Sequence, residues 1–313
     1  MRRHIYAMDN YETVQLSQLA DTSTHKAILE EVRRIFLYHY PARYFRAVNR
    51  TYRNVKKLYG GEILGYKACN TDYHNLSHVL DILLTTIRLV DGYNSENVPF
   101  PVHLTINLLN AALLHDTGYI QGEWDNEGTG AKYTPYHVER GVEFLKKNHE
   151  AFGITSDAVT LMAELIRCTG FMVKAEKLKF SSAEEKFAGC ILGTADLLGQ
   201  MSDRRYLEKL IFLYYEFKEA GMKSFNTEFD LIRKTIDFYD TTKKRFAETY
   251  LNAYMYAQPH FRTRFAVDRN LYMETIDRHI RYLYKIIQDD STNFRYKLKR
   301  GNWIHTYPRT ESR

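Results

Sequence analysis

The sequence predicts an all-α protein. Three observations point there. Six prolines and sixteen glycines in 313 residues are too few turn-formers for a many-stranded β sandwich. Apolar residues recur every three or four positions along the chain, the spacing of one helix face. The breaks between these stretches fall at residues that cap or stop helices, such as Thr71-Asp72, Gly118 and Pro135.

The elements follow in order. Residues 1–22 read as polar and irregular. Ser23 or Thr24 caps a helix over about 26–39, whose apolar face holds Ile28, Leu29, Val32, Ile35 and Phe36, and Pro41 ends it. A second helix covers about 42–58. Its Arg43, Arg46, Arg50, Arg53 and Lys57 repeat every three or four residues as one basic stripe, either a surface for anions or a solvated outer face. Gly60-Gly61 breaks it. Further helices are expected at 73–91, from 102 to His115-Asp116 with a stop at Gly118, and at 135–148, 156–169, 183–201, 203–220, 226–256 and 267–288. Between Gly118 and Pro135 lies an acidic, glycine-bearing stretch, 119–134, long enough for a lid or binding loop. Arg295, Lys297, Lys299 and Arg300 make the end of the chain, about 291–313, a basic tail.

Composition narrows the class. At 44% hydrophobic and 26% charged the chain reads as an ordinary soluble globular protein. It has no run of about eighteen uncharged apolar residues, so no membrane span is expected, and the residues after Arg2-Arg3 lack the apolar core of a secretory leader. Cys69, Cys168 and Cys190 are few and scattered, which suits a reducing, cytoplasmic setting without a disulfide framework or a CxxC zinc pattern. A net charge of +6 favours anionic ligands such as phosphates. It leaves nucleic-acid binding open.

The stretch Tyr73 to Asp81, YHNLSHVLD, sets His74 and His78 four residues apart, on one face if the segment is helical. Leu108 and Ala111 stand seven and four positions before His115. His115 therefore points inward, and its neighbour Asp116 is a carboxylate that is costly to bury without a pair or an ion. Gly189, Gly193 and Gly199 lie around Asp196 at −7, −3 and +3, so that face of its helix is bare enough for a neighbour or an ion to approach. His78, His115, Asp116 and Asp196 together offer two imidazoles and two carboxylates. Such a set suits Zn, Mn, Fe or Mg and does not choose among them.

With these residues in view, the chain resembles the HD superfamily of metal-dependent phosphohydrolases, and within it the class I cyclic-nucleotide phosphodiesterase catalytic domains and their bacterial relatives. The family's YHNxxHxxD segment is matched by Tyr73, His74, Asn75, His78 and Asp81. Its His-Asp pair is similar to His115-Asp116, its Ala-Thr segment to Cys168-Thr169, and its late Ala-Asp-Leu to Ala195-Asp196-Leu197. The likeness spans about residues 70–200.

The resemblance implies an HD-type helical core at about 60–205, with N-terminal helices at 24–59 and C-terminal helices at 206–290, in a single domain. It implies that His78, His115, Asp116 and Asp196 hold one divalent ion and that Asp116 bridges to a second completed mainly by water. His74 would be the general acid, and Asn75 and Asp81 would support the ligands; the family's Glu-x-x-His pattern is not cleanly present, and His137 and Glu139 in its place either contact the second ion's waters or form an ordinary helix N-terminus. The expected substrate is a small, nucleotide-like phosphoester. The purine-reading Gln-Gly segment of the cyclic-nucleotide enzymes has no counterpart after Asp196, where the chain reads EFKEAGMKSFNTEFD, so cyclic-nucleotide specificity is not implied. The same ligands would also serve a monoester phosphatase or nucleotidase, or a di-iron oxygenase. The basic stripe and tail would suit a non-catalytic signalling or nucleic-acid-binding module.

Overall fold

A computed structural model describes residues 13–171, 173, 177–289 and 293–298. Among them the chain is all-α, with twelve helices and no strand; one isolated antiparallel bridge joins Tyr66 and Gly122. The helices are α1 (His25–Phe36), α2 (Phe45–Tyr59), α3 (Leu76–Glu96), α4 (Val102–Leu114), α5 (His137–Phe152), α6 (Ser156–Arg167), α7 (Ala183–Ser202), α8 (Tyr206–Glu219), α9 (Glu228–Glu248), α10 (Ala257–Phe265), α11 (Leu271–Gln288) and the single turn α12 (Phe294–Lys297). No helix among the described residues is long and apolar enough to cross a membrane.

The long helix α3 runs through the middle. It packs against α1, α4, α7 and α10, and fifteen of its 21 residues are buried, which is why its sequence lacks a polar outer face. One apolar core continues from Val14 to Leu298 through every long helix. Two close contacts fix how the helices meet, the second of them beside the His115-Asp116 turn. A Cβ on Gly92 of α3 would stand 1.7 Å from the carbonyl oxygen of Tyr256, at the start of α10. One on Gly118 would stand 1.8 Å from that of His137, at the start of α5. Both close approaches require the missing side chain.

Several boundaries differ from the sequence expectation, each for a local reason. Thr24 caps α1 by accepting from Ala27 N, but α1 ends at Phe36, with Leu37 as its C-cap and a turn over 37–39 ahead of Pro41. A 3-10 turn over Ala42–Tyr44 precedes α2. The expected helix at 73–91 starts only at Leu76: the Asn75 side chain accepts from Ser77 N and His78 N and acts as the cap, while Thr71 Oγ1 is used on the carbonyl of His74. Tyr73 and His74 therefore precede the helix. Gly118 does not stop α4, which ends at Leu114; it lies in a 3-10 turn over Thr117–Tyr119. The single helix expected over 226–256 ends at Glu248, where Leu251 and Asn252 take left-handed backbone. A short turn and α10 follow; Pro259 falls in the first turn of α10, where it removes no helical bond.

The basic stripe of α2 is exposed while Phe45, Val48, Tyr52 and Val55 are buried. The stretch 119–134 is pinned down. Asp125 accepts from Lys132 Nζ at 2.6 Å and from the Tyr133 hydroxyl, and Gly130 N donates to Asn70 Oδ1 at 2.9 Å. In the tail, Arg295 Nε donates to Glu228 Oε2 at 2.7 Å, whereas Lys299 and Arg300 lie outside the described residues.

Candidate metal centre

The centre is assembled from the first turn of α3, the end of α4, the middle of α7, and the segments at the starts of α3 and α5. The Asn75 cap fixes the backbone of His78. His78 Nε2 lies 3.3 Å from Asp116 Oδ2 and 3.5 Å from Asp196 Oδ1. His115, at the C-terminal end of α4, lies with its Nδ1 2.8 Å from the carbonyl of Ala112. A carbonyl only accepts, so that nitrogen carries the proton and Nε2 presents its lone pair to the cluster. His115 Nε2 stands 3.2 Å from Asp116 Oδ2 and 3.8 Å from Asp196 Oδ1.

Thus His78, His115, Asp116 and Asp196, spread over 119 positions of sequence (78 to 196), converge. Ligand atoms of His78, His115 and Asp116 all lie within 4.8 Å of one another. His115 Nε2 and Asp116 Oδ2 are buried and make no hydrogen bond, a costly arrangement for two polar atoms unless an ion satisfies both. The donor set and these two atoms fit a divalent cation.

Charge follows from the same geometry. Burial works against a charge on His78, but Asp116 and Asp196 outweigh it and push its pKa up to about 10. Burial also opposes ionisation of Asp116, yet His115 and His78 hold its carboxyl well below the usual carboxylate range. The cluster is closed on the His115 side and open on the other. His115 and Asp116 side chains are 1% and 3% exposed, while Asp196 and His137 reach 15% and 22%.

His74 stands at this open side. Its Nδ1 lies 2.5 Å from Glu216 Oε2, and its ring stacks on Tyr119 at 4.3 Å, with Tyr119 stacked on His137 at 4.6 Å. Glu216 Oε1 accepts from Tyr73 N at 2.7 Å, and the Tyr73 hydroxyl donates to Gln200 Oε1. Glu216 lies on α8, beyond residue 205, and sequence reasoning missed it. The signal was a glutamate set among Tyr214, Tyr215 and Phe217, an apolar helix stretch where an unpaired carboxylate is costly.

The remaining expected site residues separate. His137 does face the cluster: its Nδ1 is 2.7 Å from the Thr134 carbonyl, which leaves Nε2 toward Asp116 Oδ1 at 3.9 Å. Burial lowers its pKa. Glu139 does not; its carboxylate is half-exposed and pairs with Arg167 at 2.8 and 2.9 Å. Asn75 acts on the helix backbone and makes no side-chain bond to a ligand. The Asp81 side chain makes no hydrogen bond to His78, His115, Asp116 or Asp196, and faces a separate cavity. Cys168 and Thr169 use their polar groups on local backbone and Tyr250.

Residues 123–273 match the family model described as Npun_R2479-like. The description names no reaction. The matched stretch holds His137, Asp196 and Glu216 and leaves out His74, His78, His115 and Asp116. No curated protein matches the chain significantly.

Proposed function

We propose that this protein is a divalent-metal-dependent phosphohydrolase that cleaves a nucleotide-like phosphodiester. The observation that carries the reading is the pair of buried, unbonded atoms, His115 Nε2 and Asp116 Oδ2, next to a histidine held by a carboxylate at the open side of the same cluster. His78, His115, Asp116 and Asp196 would hold one divalent ion, and Asp116 with His137 would serve a second. Such ions neutralise phosphoryl oxygens and acidify water at neutral pH. The protein's own groups do the rest. Glu216 accepts from Nδ1 and fixes the His74 ring, so that Nε2 is placed to give a proton to the leaving oxygen. The Tyr119 ring, stacked on both His74 and His137, keeps the two imidazoles in register. The three cysteines are unpaired, which suits a cytoplasmic setting.

The test is a substrate panel with Mn, Mg, Zn or Fe(II): bis-p-nitrophenyl phosphate, linear and cyclic nucleotide diesters, and nucleoside monophosphates. Diester turnover that disappears in Asp116→Asn and falls in His74→Ala supports the reading. Preference for monoesters would reassign the substrate class. Turnover unchanged in Asp116→Asn would remove the centre from the chemistry.

A further inference from the structure

On the other side of α3 and α7 lies a cavity of about 330 Å³, bounded also by α8, α11 and the segment around Ser17. Its volume is at the small end of the range for ligand pockets. Two of its charged side chains, Arg88 and Asp81, make no ion pair among the described residues, although Lys209, His78 and Arg205 act on Asp81 from a distance. Arg88 is 3% exposed and lies against the rings of Phe261 and Tyr272. Its guanidinium donates once, from Nη1 to the Tyr272 hydroxyl at 3.0 Å. Its Nε is buried without a partner, and no carboxylate reaches it at ion-pair distance among the described residues. Asp81, two helix turns earlier, has no hydrogen-bond or ion-pair partner for its carboxylate among the described residues. Of the other charges on the wall, Asp203 pairs with Lys209, Arg278 Nη2 donates to Thr275 Oγ1, and Glu208 is a buried carboxylate on α8.

We propose that this cavity binds a small zwitterion of the amino-acid class, its carboxylate on Arg88 and its ammonium on Asp81. The two protein charges do not meet each other. Arg88 is held by Tyr272, whose hydroxyl donates to Thr85 Oγ1, and Thr85 in turn donates to the Asp81 carbonyl. The guanidinium is thus linked to Thr85 through the Tyr272 hydroxyl, and Thr85 follows Asp81 by about one helix turn, roughly 6 Å along the axis. An ammonium and a carboxylate on one small molecule span such a gap with a hydrogen bond at each end. A simple anion would satisfy Arg88 and be repelled by Asp81; a simple cation would do the reverse. A buried guanidinium is costly alone and a partly buried carboxylate adds to that cost, and one ligand of opposite polarity at its two ends answers both. The cavity would take its ligand whether or not the metal centre turns over a phosphoester.

The test uses the full chain, with each proteinogenic amino acid titrated alone and inorganic phosphate as the anion without an ammonium, followed by calorimetry and thermal shift. At least one amino acid is expected to bind and raise the Tm. Asp81→Asn, which keeps shape and removes charge, is expected to weaken that binding about ten-fold or more. Ser17→Trp, at an exposed residue of the cavity wall, is expected to abolish it by filling the entrance. Arg88→Met is expected to abolish it too, but that variant carries the risk of misfolding, so the other two decide. No amino acid binding, binding unchanged in both Asp81→Asn and Ser17→Trp, or phosphate binding as tightly as any amino acid, would each overturn the proposal.

Discussion

Replacing Asp116 by Asn keeps the shape of a buried side chain and removes the charge that faces His78 and His115 at 3.3 and 3.2 Å. If these residues hold an ion, the wild-type protein gains stability from it by mass action. At a hundred times the dissociation constant the gain is about 2.7 kcal/mol. Unfolding entropy is about 2.1 cal/mol/K per residue, so over 313 residues the gain corresponds to a rise of roughly 4 °C in Tm. Asp116→Asn is expected to lose most of that rise and to retain no metal in elemental analysis after desalting. In chelator the substitution also removes one of two carboxylates facing His78, a loss of up to about 3 kcal/mol. Each protein is therefore measured against its own chelated baseline by scanning fluorimetry, with circular dichroism to establish the fold. A wild-type protein that gains neither Tm nor bound metal with Mn, Zn, Mg or Fe(II) would refute the reasoning. So would an Asp116→Asn variant that gains as much as wild type.

Three further outcomes are expected. Glu216→Gln should lower kcat by about a hundred-fold or more on diesters with an alkoxide leaving group and much less on p-nitrophenyl esters, whose leaving group needs no proton; equal losses on both would make Glu216 merely structural. Asp91, fully buried and paired with His39, His260 and Arg264, is a separate case. Burial opposes its charge, but His260, His39 and Arg264 hold its pKa well below the usual range. Asp91→Asn should therefore cost about 3 kcal/mol in urea denaturation at pH 7. Because the folded pKa is depressed, that contribution is complete above about pH 4 and fades as the pH falls, so wild-type and variant curves should converge in acid. Gly118→Ala should push α5 away from the His115-Asp116 turn, losing about 3 kcal/mol or more of stability and metal affinity with it, whereas Arg46→Glu and Arg53→Glu on the exposed stripe should each change stability by less than about 0.5 kcal/mol.

What the sequence made legible was set by local signals. Helical periodicity placed α1 to α8 and α11 within a few residues, because buried faces on helices repeat at a spacing no strand shares. The clustered residues His78, His115, Asp116 and Asp196 stood out because each places a group that is expensive to bury on an apolar or bare helix face. Where reading failed, the deciding contact was not local. Asn75 and Thr71 compete to cap α3, and only the three-dimensional path of the loop shows that Thr71 is used on the His74 carbonyl. α10 is hidden because left-handed Leu251 and Asn252 make the break without a glycine. Glu216 joins the site from 142 residues away. Glu139 is drawn off by Arg167, a partner from α6 that no spacing rule indicates. Asp81 belongs to YHNLSHVLD in sequence, yet three residues beyond His78 the helix has turned it toward the cavity.

Helix α3 carries His78 of the clustered His and Asp residues at its first turn, a cavity wall from its second to its fourth, and the Asp91 cluster and the Gly92 contact near its end. A saturation library would therefore find almost no neutral position along it, including sites that a hydropathy plot would score as interchangeable Leu, Ile or Val. Replacement tolerance should instead concentrate on the outer face of α2. Attempts to graft, tag or diversify this protein have their freedom there, with the central helix transferred as a unit.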